Sequence, residues 1–125
     1  MRLALGTLAG AIGWMILALG IGMVAGRLWP EFAVASRNPL TLTTVMLATR
    51  LGISFVASLI SGAVAARLGA SERAALAAGV LLLLFWAPYH VLQIWAQFPI
   101  WYHLTFFVSL PLLAWIGGRF APIAR

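Results

Sequence analysis

From Ala74 to Gly118 the chain carries no Asp, Glu, Lys or Arg, and this run decides what the protein can fold into. A helix rises 1.5 Å per residue and needs about 20 apolar residues to cross a hydrocarbon core about 30 Å thick. The run is twice that length, so it must double back. Gln97-Phe98-Pro99 places the turn, because a proline lacks the N–H that would continue an old helix but is well suited to open a new one. Spans are thereby expected at about 74–95 and 100–117. Upstream, the uncharged stretch after Arg2 supplies a span at about 3–24. A further one at about 40–66 contains a single charge, Arg50.

Composition agrees. Hydrophobic residues make up 64% of the chain and charged residues 8%, far from the roughly even apolar share and quarter charged share of soluble domains. The expected fold is all-α, a single integral membrane bundle of four transmembrane helices over residues 1–125. All the basic residues are arginines, and they sit at the edges of apolar runs rather than in a basic patch, so a nucleic-acid partner is not expected. The chain has no cysteine, which excludes disulfides, thiolate chemistry and cysteine metal sites.

Cytoplasmic loops retain positive charge. With four spans, Arg2, Arg67, Arg73, Arg119 and Arg125 share one side against Arg27 and Arg37 opposite. Both termini are therefore expected on the cytoplasmic face, with a bacterial inner membrane as the expected location. A secretory signal is the alternative for the N-terminus, with AVAS at 33–36 as a cleavage site. The apolar run of about 22 residues is longer than the 7–15 of a signal core, which argues against cleavage.

Within lipid, helices associate through close backbone approach, so small residues mark seams. Gly6, Gly10 and Gly13 share one face of the first span. In the second, Ser54, Ser58 and Gly62 form a small-xxx-small ladder. Packing inside the bundle is the expected use, a dimer surface the alternative. Pro88 and Pro111 lie inside the third and fourth spans and are read as ordinary bends.

Arg50 is the residue most in need of explanation. An ionised group in mid-helix costs about 2.5–3.5 kcal/mol on insertion scales and is a functional hypothesis by default. Two readings stay open. In one, its helix begins near Thr41 and Arg50 faces the interior against Trp86 or Trp14, with Ser54 and carbonyls near Pro88 as acceptors. In the other, the span starts near Met46 and the guanidinium reaches outer headgroups. Trp86, His90, Gln93 and Gln97 recur at helical spacing on the third span, facing Tyr102, Thr105 and Ser109 with His103 beside them on the fourth. Arg50, Trp86, His90, Gln93, Tyr102 and His103 are the candidate ligand-binding residues.

Two histidines without carboxylates make a poor metal or haem site, so no metal and no cofactor is expected. Paired carboxylates and the nucleophile and metalloprotease motifs are missing from the sequence, and an enzyme is not expected. The leading expectation is a non-catalytic accessory or assembly subunit that packs in the lipid bilayer with itself, as a homo-oligomer, or with a larger membrane-protein partner. The alternative is a small transporter or binding protein with an outward-facing polar pocket for an anionic or amphiphilic ligand, such as a lipid headgroup or quinone. The sequence carries no motif that names a family.

Overall fold

The computed structural model describes residues 1–123, so Arg125 lies outside the described residues. It is an all-α bundle of four long helices, α1 (Arg2–Leu28), α3 (Thr44–Gly69), α4 (Glu72–Leu92) and α5 (Ile100–Arg119), with a short helix α2 (Pro30–Ala35) between the first two. Each of the four is long and apolar enough to cross a membrane.

Local chemistry sets the boundaries. α1 stops at Leu28 because Pro30 holds Trp29 out of the helical region and takes the first position of α2. Trp29 then stacks on Phe32 at 5.5 Å, and Phe32 and Ala35 bury against Met46. α2 therefore folds back over the end of α1 instead of remaining an open loop. α3 begins at Thr44, later than the expected residue 40. Pro39–Thr41 forms a separate 3-10 turn, and the Thr43 hydroxyl accepts from the Met46 N–H, satisfying an orphan donor of the first turn.

At its other end α3 closes in a Schellman motif. Ser71 N–H donates to the Ala66 carbonyl and Ala70 N–H to that of Arg67, while Ala70 adopts the left-handed conformation with φ 52°. The Ser71 side chain then caps α4, accepting from Arg73 N–H. The second hairpin turns through a 3-10 segment at Trp95–Gln97 and restarts with Pro99 as the N-cap of α5.

α1 and α5 lie across a diagonal, each packed on both α3 and α4. At the end that holds the N-terminus and the 67–73 connection, backbones nearly touch. A Cβ on Gly6 would come within 2.5 Å of Ala65 O and Gly69 N, one on Gly10 within 2.6 Å of Ala65 Cβ, and one on Gly62 would overlap the Ala114 carbonyl. Ala65, Ala66, Ala74, Ala75 and Ala78 fill this end and are fully buried. Gly13 departs from the expected seam: a Cβ there meets nothing within 4 Å, and the same holds for Gly20 and Gly22. The physical reason is Trp14, whose indole wedges between helices with Nε1 donating to Ser58 Oγ at 3.0 Å and its ring 6.0 Å from Trp86. Small residues draw the helices together on one side of Trp14, and bulky aromatics hold them apart on the other.

Candidate functional site

The space on the splayed side is a cavity of about 720 Å³ bounded by α1, α2, α3, α4, the 94–98 connection and α5. That lies within the range of small-molecule pockets. Its floor is aromatic, formed by Trp14, Trp86 and Phe106. Among the described residues its charged lining is Arg27 and Arg50, with no carboxylate.

Arg50 stands six residues into α3, about 9 Å from the start of the helix, and is partly buried. Its Nε donates to the Tyr102 hydroxyl at 3.2 Å, and its guanidinium carbon lies 5.4 Å from the centre of the Phe98 ring. Phe98 in turn stacks on Tyr102 at 4.6 Å. The expected partners Trp86, Trp14 and Ser54 are replaced by this pair from the α4–α5 hairpin. The later start of α3 is the reason: it carries Arg50 toward the turn, where Phe98 and Tyr102 sit. A cation over an aromatic face gains about 0.5–2 kcal/mol depending on desolvation. Nε is the guanidinium nitrogen bonded to protein among the described residues, leaving the terminal nitrogens of a cavity-lining side chain to bind something else.

One turn further along α3, Ser54 also lines the cavity and is 5% exposed, and its Oγ has no hydrogen-bond partner among the described residues. On the facing wall Trp86 is half-buried, but its Nε1 is buried and likewise lacks a partner among the described residues. Leaving a buried donor unsatisfied costs about 1–3 kcal/mol, and such groups are few in native proteins. Within the Ser54, Ser58 and Gly62 ladder, Ser54 is buried at the end that borders the cavity, while Ser58 and Gly62 below it are fully packed.

The two histidines meet. His90 Nδ1 and His103 Nδ1 are 2.8 Å apart, and His103 Nε2 is 3.0 Å from the Trp95 carbonyl. His103 is fully buried behind His90, held between Trp95, stacked at 4.4 Å, and Phe107. His90 is buried on Phe106, stacked at 4.5 Å, and forms part of the cavity wall. Sequence periodicity put both histidines near the site, but their direct bond depends on how α4 and α5 are rotated against each other.

Of the six candidate ligand residues, Arg50, Trp86, His90 and Tyr102 line the cavity and His103 supports it from behind. Gln93 is exposed and does not line it. α4 keeps its helical phase through Gln93, whose N–H donates to the Tyr89 carbonyl, and this sets Gln93 one turn beyond exposed Tyr89 rather than over buried His90; the 3-10 turn that follows brings Gln97 to the wall. The wall from α1 and α2, including Gly22, Gly26 and Phe32, was not foreseen. The Pro30 signal that reverses the chain is its one visible trace in the sequence. No family model, curated protein or solved structure matches the chain.

Proposed function

We propose that this is an integral membrane protein of four spans that binds an amphiphile with an anionic head in the cavity between α1, α3, α4 and α5. The observation that carries the reading is the convergence of unspent donors in an aromatic chamber. The terminal guanidinium nitrogens of Arg50, the Ser54 hydroxyl and the Trp86 N–H share one cavity that, among the described residues, holds no carboxylate. An anionic group supplies acceptors to all three and a charge opposite to that of Arg50.

An amphiphilic body suits the remaining wall. Leu19 and Met23 of α1 and Tyr89 of α4 line the cavity and are exposed at its rim, so in a bilayer an acyl or prenyl chain meets apolar side chains there while its head enters among the donors. The arginine distribution supports an orientation with both termini cytoplasmic, which turns the cavity toward the outer leaflet. The open glycine face of α1 at Gly13 and Gly20 favours a second reading, assembly with another membrane helix.

The test uses native mass spectrometry of the protein released from nanodiscs of phosphatidylcholine doped with phosphatidylmethanol. Wild type should retain the anionic lipid preferentially. Arg50→Gln should lower that retention about tenfold, the loss of one charge-assisted contact, with the oligomer distribution unchanged. Loss of assembly in Arg50→Gln without any lipid preference in wild type would instead favour the subunit reading.

A further inference from the structure

The paired histidines impose a donor and acceptor pattern on the cavity that narrows the class of head. A carbonyl oxygen can only accept, so the contact of His103 Nε2 with the Trp95 carbonyl requires the proton on Nε2. In the neutral ring Nδ1 is then a bare acceptor. The 2.8 Å contact between the two Nδ1 atoms needs one proton, which must come from His90. His90 is therefore the Nδ1–H tautomer, and its Nε2 presents a lone pair on a residue that lines the cavity. One backbone carbonyl fixes the hydrogen-bonding character of the wall two rings away.

The site thus offers donors from Arg50, Ser54 and Trp86 and, in His90 Nε2, a group that can only accept, whereas the hydroxyls and the Gln97 amide on the same wall can turn to donate. An occupant must bring an anionic oxygen and one O–H or N–H. A carboxylate and a phosphodiester anion have the charge but no proton to donate, and either would set oxygen lone pairs against His90 Nε2. A protonated carboxylic acid, a phenol or a quinol has the O–H but no charge for Arg50. The monoanion of a phosphate monoester has both on one phosphorus, together with enough oxygens for three donors. Resting on the anionic-amphiphile reading above, we infer that the cavity binds the monoanionic phosphomonoester head of a lipid, with His90 Nε2 accepting from the P–OH and Arg50 paired to the anionic oxygens. No bond to phosphorus is made or broken. Four observations meet in this assignment: the dyad geometry, the free guanidinium nitrogens, and the two unpartnered buried atoms of Ser54 and Trp86.

The experiment compares three probes on the full-length protein in nanodiscs: phosphatidic acid, a monoester; phosphatidylmethanol, the diester of the same chains; and glycerol 3-phosphate, the monoester without a tail. Wild type should bind phosphatidic acid about tenfold more tightly than phosphatidylmethanol, the difference one hydrogen bond to a charged partner makes. His90→Phe should bring that ratio to about one, whereas Arg50→Gln should weaken both lipids alike. His103→Phe frees His90 to adopt the Nε2–H tautomer and should shift the preference toward the diester, a change of selectivity that a purely structural role for His103 does not predict. The wild-type ratio needs no variant, so a failure of either histidine substitution to fold leaves the test standing. Equal binding of the two lipids, lost in Arg50→Gln, would overturn the monoester assignment and leave the anionic-amphiphile reading intact. Binding of neither lipid would overturn both. Glycerol 3-phosphate binding as tightly as phosphatidic acid would uphold the phosphomonoester chemistry and overturn the lipid source.

Discussion

Two glycines on one helix, two turns apart, should respond to the same substitution with opposite signs. At Gly6 an added Cβ would stand 2.5 Å from Ala65 O and Gly69 N and 2.6 Å from Gly69 Cα, all of them backbone, whereas ordinary contact begins at 3.4 Å. α1 and α3 would have to separate by about 0.9 Å, and no side chain can rotate to relieve the overlap. Overpacking of this kind costs about 1–3 kcal/mol, and rigid backbone on both sides puts Gly6→Ala toward the upper end. The better helix propensity of alanine returns about 1 kcal/mol, for a net loss of about 1–2 kcal/mol. At Gly13 the added methyl meets nothing within 4 Å. Gly13→Ala keeps the propensity gain alone and should stabilise by up to about 1 kcal/mol. The separation between the two variants, about 2–3 kcal/mol, is the quantity to measure, by equilibrium unfolding in mixed micelles with increasing dodecyl sulfate. Equal responses at the two positions would show that α1 does not lie on α3 at Gly6, and the tight-end, splayed-end account of the cavity would fall with it.

Ala70 holds a left-handed conformation normally left to glycine, so Ala70→Gly should raise stability by about 1 kcal/mol in the same assay. Ser54→Ala removes a buried hydroxyl that has no partner among the described residues; it should leave the lipid-free protein as stable as wild type or up to about 1 kcal/mol more stable, while lowering anionic-lipid retention severalfold, a split that a seam residue would not show. Because native cysteines are absent, single cysteines report topology without background: Asn38→Cys and Ala96→Cys should react with an impermeant maleimide on intact cells, and Leu68→Cys only after permeabilisation. Labelling in the reverse pattern would point the cavity at the cytoplasm.

The four long helices were legible in the sequence because a bilayer-length apolar run is a local property. Charge, or its absence, at consecutive positions decides it without knowledge of any contact, and Pro99 and the flanking arginines mark the ends by equally local chemistry. The same locality explains why Trp86, His90 and Tyr102, which line one cavity, could be grouped, since helical spacing places them on facing stripes. It also explains the miss at Gln93, since spacing alone does not say whether a residue one turn beyond Tyr89 follows that exposed ring or its buried neighbour His90. What decided the site was not local. Gly6 and Gly13 read alike in sequence, yet one lies against backbone and the other faces open space, because Trp14 holds α1 away from α3 beyond that point. Arg50 found Tyr102 rather than Trp86, and the two histidines found each other, through the rotation and stagger of whole helices. Those are set by the sum of many contacts along each interface, and residues at such separations along the chain carry no mark of which partner they will meet.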